Sequence, residues 1–433
     1  MKRCVVCGFS TRAIAMYVYP LIPGEKKLPE FGDYSKHARV VGALDVDPDR
    51  IKIFNERQQV SIPAYAPCDF DRMIGETKPD TVIVAGPDVT HAEYIIKALK
   101  HNLDVITEKP MVINCAQAKA VMEAEKKSKG TVRVGFNFRY VPAHKYIKRL
   151  IMSGALGKIT NIEFVDNLDT YHGASFFYRW NRDRSQSGGL TVHKACHHFD
   201  LINWLIDDEP EQVFAYGALN YFGKNSPYNP ARNKRKMSLD EVKKKCPYYQ
   251  KWFGVGTEVV EDAHMKEYNN VLKLPYRVQY PRELYIYDED IAIEDTYSAV
   301  VRYRSGASMS YSFNVSAPWE GYILAINGIK GRIETIHYSD PSRCPFPASG
   351  RQTVTYIPLF GTRQVHDTPV VVGGHGGADD IIRHDMFIGI TPESKELRIC
   401  ADSSAGADAV AVGEGIWRSV IENRPIDLRE LFK

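Results

Sequence analysis

Between Gly188 and Asp200 the chain reads GGLTVHKACHHFD, which sets His193, Lys194, His197, His198 and Asp200 close together. Imidazole, ammonium and carboxylate groups can each give or take a proton near neutral pH once burial or a neighbour moves their pKa. On a single helix, spacings of four and three put His193, His197, Asp200, Leu201 and Trp204 on one face. That face predicts imidazoles turned to a cleft, with Trp204 and the leucines as the anchor. Three readings are open: an acid/base site, a metal site, or histidines satisfied at a domain boundary. A metal site needs a third ligand at suitable spacing. Cys196 points off the shared face and no HExxH occurs.

A second group of candidates follows two apolar runs. Gly86-Pro87-Asp88-Val89-Thr90-His91 comes after Val82–Ala85, and Thr107-Glu108-Lys109-Pro110 after Val105-Ile106. A lysine fixed by proline just beyond a buried strand can be partly desolvated, which lowers its pKa towards a useful range. The tripeptide alone reads more simply as a surface lysine beside a turn proline.

The elements that must carry these groups alternate. Arg3–Cys7 ends at Gly8, Val40–Leu44 ends at Asp45, and Thr81–Ala85, Asp104–Thr107 and Val132–Phe136 follow as apolar strands. Helical patterns lie between them: Pro48–Gln58 with a first-turn proline, Val89–His101, and a helix capped by Asn114 running to Lys127. Such alternation predicts a parallel, doubly wound sheet, whose ligands bind beyond the carboxyl ends of the strands. Of the GxGxxG turn only Gly8 survives in Gly8-Phe9-Ser10-Thr11-Arg12-Ala13, with Ser10 and Ala13 as small substitutes. Asp45 predicts a ribose contact that favours NAD; Arg12 could instead meet the 2′-phosphate of NADP. The gap from Gly8 to Asp45 requires a loop insertion around Pro20–Lys36.

Beyond Tyr140 the texture changes. Ile159–Val165, Glu211–Ala218 and the stretch Thr296–Glu334 read as strands, with turns at Ser305-Gly306 and Asn327-Gly328, giving a mostly antiparallel α+β domain. Ten of the 25 tyrosines fall between Tyr216 and Tyr287, where an insertion is expected at about 220–290. Asn137, Arg139 and Tyr140, and Trp180 with Asn181, line the cofactor or substrate pocket or else pack the domain boundary. Gly373–Asp379 brings His375 and Asp379 towards substrate hydroxyls or forms a flexible loop before a helix.

The 433 residues, 44% hydrophobic and 25% charged with a formal charge of +3, give no reason to invoke nucleic acid or a membrane surface. Eight scattered cysteines form no disulfide framework, and Cys4 and Cys7 fall on opposite faces of a strand. With no cleavable leader pattern and no apolar run of spanning length, the chain is expected to be cytoplasmic.

VIVAGPDVTHAEYIIKAL, VITEKPM, VRVGFNFRY and GGLTVHKACHHFDLINWL together resemble successive motifs of the Gfo/Idh/MocA oxidoreductase family. The resemblance implies a Rossmann domain over 1–140 and, over 141–433, an α/β domain whose open sheet binds substrate and builds a dimer or tetramer. It implies Lys109 as the catalytic lysine, Glu108 as its cofactor-side neighbour, and His197 and Asp200 as the family's histidine and final aspartate. His193 stands where the family carries an aspartate, and Ser187 where it carries a further glycine. His193 or Asp200 is then expected to orient His197, with Lys194 and His198 as rival participants and His193, His197 and His198 near substrate. The implied activity is NAD-dependent hydride transfer at a ring hydroxyl of a sugar, glycoside or cyclitol, with C3 of a glycoside favoured. A non-catalytic NAD- or sugar-sensing protein and a metal-dependent hydrolase on the histidine helix are the alternatives.

Overall fold

A computed structural model describes every residue except 25–27, 233–236, 254–262, 277–282 and 370–376. The five apolar runs become β1 (Lys2–Cys7), β2 (Ala38–Leu44), β4 (Thr81–Val84), β5 (Asp104–Thr107) and β6 (Val132–Val134), joined by the short β3 (Ala64–Tyr65). They form one parallel sheet in the order β3-β2-β1-β4-β5-β6. Cys4–Cys7 and Val82–Val84 are buried on both faces, as helices on both sides require. Burial holds the Cys4 thiol up at about 12 and raises that of Cys7 further.

Asn114 caps the helix Cys115–Lys126 by accepting from Gln117 N at 2.9 Å. Two helices start later than the pattern predicts. Pro48 is itself the cap of Asp49–Gln58, and a 3₁₀ turn, Asp88–Thr90, precedes His91–Lys100.

Among the described residues the second sheet has nine strands: β7 (Ile159–Asp169), β8 (Pro210–Ala218), β9 (Thr296–Tyr303), β10 (Ser308–Ala317), β11 (Gly321–Gly328), β12 (Gly331–Tyr338), β13 (Thr353–Pro358), β14 (Gln364–Asp367) and β15 (Ile426–Asp427). Their order is β14-β13-β12-β11-β7-β10-β9-β8-β15, antiparallel except where β7 meets β10. Both turn signals sit at hairpins: Ser305-Gly306 links β9 to β10, and Gly328 pairs with Gly331 between β11 and β12. One face of this sheet packs on Cys196–Ile206 and on the helix Ser403–Glu422. The insertion folds into the helices Leu239–Lys245, Pro247–Phe253 and Ala263–Leu272. No helix among the described residues is long and apolar enough to cross a membrane.

Candidate active site

The expected single histidine helix is broken. Leu190–His193 makes one turn, Lys194 and Ala195 interrupt it, and a new helix runs over Cys196–Ile206. Gly188 and Gly189 set up the turn with φ of +73° and +81°. A Cβ on Gly188 would lie 2.5 Å from Ile113 O, so the backbone comes down directly behind the EKP loop. Ser187 also has a definite role: its hydroxyl donates to Asn181 O (2.8 Å) and accepts from Gly189 N (3.0 Å).

The break sends the histidines in different directions. His193 stays half-buried, with Nδ1 on the Asp88 carboxylate and Nε2 3.1 Å from Asn181 Nδ2. Facing a carboxylate, Nδ1 carries the proton, which leaves Nε2 as the lone-pair nitrogen. Trp180 and Phe176 stand edge-on to this ring, each at 5.6 Å between centroids. Burial lowers the His193 pKa, and Asp88 opposes the fall. Lys109 Nζ donates to His193 O at 3.0 Å, and burial lowers its pKa too. Lys109 is thus bonded to the main chain of His193, and its charge acts on the imidazoles of His193 and His198 alike.

His197 is buried with its ring stacked on Phe138 (4.6 Å, 14°) and near Phe136. His198 is buried against the second sheet, Nδ1 on the Tyr311 hydroxyl at 2.9 Å and Nε2 3.5 Å from Asp166. Burial holds its pKa well below the usual value. Asp200 is engaged by an arginine. It takes a bidentate pair from Arg139 (2.8 and 2.6 Å), wholly buried beside Trp204, and burial raises its pKa to about 6 against the pull of Arg139. Arg139 and Tyr140 follow the domain-boundary alternative, Arg139 satisfied by Asp200 and Tyr140 buried against Cys400 Sγ (3.6 Å), while Asp200 and His198 are buried with these partners and with the second sheet. The hydrolase reading loses its ligand set, since the three imidazoles diverge and no three ligand-type groups among the described residues could hold a metal. His375 lies outside the described residues.

Lys194 is half-buried, and its charge acts on Asp166, Glu320 and His193, which places it between the His193 turn and one end of the second sheet. That end carries a further polar ladder. His172 Nδ1 meets Glu320 Oε1 (2.9 Å), and Arg343 joins Glu320 (3.0 Å) to Asp169 (2.7 Å). Phe176 stacks on His172 at 5.4 Å, so one aromatic ring separates His172 from His193.

The residues expected at the cofactor divide. A Cβ on Gly8 (φ +92°) would stand 2.3 Å from Gly86 Cα; only glycine lets these two strand-end loops touch. Ser10 caps the short helix Thr11–Ala13, whose Thr11 is exposed, and its hydroxyl donates to Ala85 O (2.9 Å). Asp45 ends β2 and accepts from Phe9 N (2.6 Å) and Asp47 N (2.9 Å). Pro87 is exposed at the crest of its loop. Arg12 is not open to a 2′-phosphate: it pairs with Glu108 (2.8 Å) and Asp379 (2.8 Å). Tyr17 also donates to Glu108 (2.9 Å), and Asn137 Nδ2 to Asp379 (2.8 Å). His91 is buried with its nitrogens on Pro110 O (2.9 Å) and Gly86 O (3.0 Å), tying the two loops together instead of facing cofactor. The cradle fits a dinucleotide. Gly8 makes the tight turn after β1, Asp45 follows the end of β2, where such domains carry a ribose-binding carboxylate, and the buried Asn137 Oδ1 has no hydrogen-bond partner among the described residues. Sequence reasoning missed Asp88 and Asn181 as partners of His193. Asp88 was visible at a strand end, but nothing in a linear reading pairs it with a residue 105 positions on.

A parallel dinucleotide-type domain together with a mixed, mostly antiparallel sheet, joined where Lys109 bonds to the main chain of His193, is the architecture of a two-domain NAD-binding oxidoreductase. Residues 2–136 match the oxidoreductase family's NAD-binding Rossmann fold and residues 148–428 its C-terminal alpha/beta domain. The chain belongs to the Gfo/Idh/MocA family. It is 46% identical over 439 residues, covering 100% of this chain and 99% of the other, to the putative oxidoreductase YteT of Bacillus subtilis. It is 30% identical over 186 residues, 42% of this chain and 48% of the other, to an inositol 2-dehydrogenase of Rubrobacter xylanophilus. The fold also matches a levoglucosan dehydrogenase in complex with NADH, at a TM-score of 0.66 and 17% identity over 99% of both chains.

Proposed function

We propose that the protein moves hydride between NAD and a ring secondary hydroxyl of a sugar, glycoside or cyclitol, with His193 as the group that takes or returns the hydroxyl proton. The observation that carries this is the His193 ring itself: backed by Asp88 through Nδ1, open at Nε2 to a donor, and next to Lys109. Bound NAD supplies the acceptor or donor of hydride at its nicotinamide. In the oxidation direction the substrate hydroxyl replaces Asn181 at Nε2, and the proton passes to that nitrogen as the carbinol C–H leaves as hydride. Asp88 then stabilises the imidazolium. Lys109, drawn down by burial, holds the reacting oxygen by hydrogen bond. Lys194, His172 and Trp180 surround the position a sugar ring would take. They support a polyhydroxylated substrate, with oxidation at C3 of a glycoside as the first case to test. Val300, Ile323 and Ile336, exposed on the outward face of the second sheet, support the expected self-association.

The test is NADH formation across a panel of monosaccharides, methyl glycosides and cyclitols. Turnover with at least one, lost in Lys109→Met although NADH still binds, is the expected result. Turnover near normal in that variant overturns the role of Lys109, and no turnover with any carbohydrate overturns the substrate class.

A further inference from the structure

Near its carboxyl end β7 holds a buried carboxylate that hydride transfer between Lys109 and His193 does not use. Along this strand Phe164, Asp166 and Leu168 alternate onto the covered face, and Asp166 stands in register between Phe313 of β10 and Tyr322 of β11. Asp166 is 5% exposed, yet its Oδ2 takes no hydrogen bond among the described residues. His198 Nε2 stands 3.5 Å away, too far for a good hydrogen bond, and is likewise unsatisfied. Burying an acceptor with its hydrogen bonds unmade is costly. An aspartate kept there at that cost calls for a donor that arrives with a ligand.

Lys194 supplies the complementary half. It sits in the break between Leu190–His193 and Cys196–Ile206, half-buried, and its ammonium makes no hydrogen bond or ion pair among the described residues. Its charge acts on Asp166, and also on His172, His193 and Lys109, so it lies between the reacting groups and the carboxyl end of β7. Other charges at this end are matched: Arg343 holds Asp169 at 2.7 Å and Glu320 at 3.0 Å, and His172 meets Glu320 at 2.9 Å. Burial pushes the Asp166 carboxyl up to about 7 against the pull of Lys194, so above that pH it is an anion beside a cation.

We propose that Asp166 and Lys194 select the charge of the substrate, Lys194 donating to one ring hydroxyl and Asp166 accepting from its neighbour. The site then takes an uncharged polyhydroxylated ring and turns away a sugar acid or sugar phosphate. This rests on the carbohydrate reading of the site and adds the charge its substrate must have. A hydroxyl both donates and accepts, so two adjacent hydroxyls satisfy an ammonium and a carboxylate together. A substrate carboxylate or phosphate serves the ammonium alone and meets Asp166 as a like charge.

The experiment measures NADH formation by the full chain at about pH 8, where Asp166 is ionised. D-Glucose, D-galactose and myo-inositol are compared with D-glucuronate, D-galacturonate and glucose 6-phosphate, as the ratio of the best kcat/KM in each set. Wild type is expected to favour the neutral set. Asp166→Asn leaves Lys194 without its counter-charge and should move the ratio towards the acids by about tenfold, the size of one charged hydrogen bond. Lys194→Gln should move it the other way, and opposite signs are not produced by a general loss of folding. A wild-type preference for the acids, or a ratio that moves in one direction in both variants or in neither, overturns the proposal alone. Where no sugar is turned over, the rise in Tm that each sugar gives the NADH-bound chain is read for the same signs. No turnover and no rise with any sugar overturns the carbohydrate reading as well, a separate and recognisable failure.

Discussion

Two consecutive pieces of chain, Leu190–His193 and Cys196–Ile206, use the same residue types for opposite purposes. The first ends in a half-buried imidazole with a carboxylate behind it and a lysine beside it. The second buries two imidazoles and an aspartate, places them on an aromatic ring, a tyrosine hydroxyl and an arginine, and presents none of them in the same way. The interruption at Lys194-Ala195 makes the difference. An unbroken helix would carry His193 and His197 on one face, whereas the break lets His193 turn to Asp88 while His197 turns to Phe138. Titratable groups in one motif are thus divided into those that face the cleft and those that hold the helix in place.

The comparison yields experiments in order of effect. His193→Gln should lower kcat by about a hundredfold or more, the usual contribution of a positioned acid/base group, with Tm unchanged. A smaller loss than in His197→Gln would reverse the assignment of the two imidazoles. Asp200→Asn should act on the other side of the division. It leaves Arg139 buried without its counter-charge, a loss of roughly 3–5 kcal/mol, so urea unfolding should shift strongly while activity per folded molecule is kept. An intact midpoint with lost turnover would return Asp200 to the reaction.

Asp88→Asn is expected to cost less, about tenfold in kcat, because the ring keeps a hydrogen-bonding neighbour. Its pH profile is the sharper reading. His193 must be neutral to take the hydroxyl proton, and burial places its pKa below the usual value of about 6.5. Activity should therefore hold on the acid side until that lower pKa is reached. Asp88 is the charge that raises it, so Asp88→Asn should move the acid limb lower still. A limb that moves up or stays in place separates Asp88 from His193. The smallest effect belongs to Asp45→Asn, which should narrow the preference for NAD over NADP by several-fold, read as the ratio of the two kcat/KM values.

Much of the fold was legible because it depends on local pattern. Continuous apolar runs such as Thr81–Ala85 can only be strands covered on both faces, and Asn114, Ser305-Gly306 and Asn327-Gly328 announced a cap and two hairpins. Lys109 stood out only through the resemblance of its EKP loop to the family's motifs, since a lysine beside a turn proline reads by itself as a surface group. Pairings between distant segments were not. Arg12 could have met a 2′-phosphate, and its capture by Glu108 and Asp379 depends on a helix 367 positions away. Arg139 and Tyr140 read as pocket residues or as domain-boundary packing, and only their partners Asp200 and Cys400, distant in sequence, show which contacts they make.

The sequence by itself determined the elements, their parallel and antiparallel grouping, and the presence of a lysine and several imidazoles near the strand ends, since periodicity and turn chemistry act over a few residues. Only the tertiary structure decided which histidine the lysine meets and which carboxylate stands behind it. Charge pairing and burial depend on distance in space, and two glycines with a broken helical turn reset that distance in ways no linear spacing records.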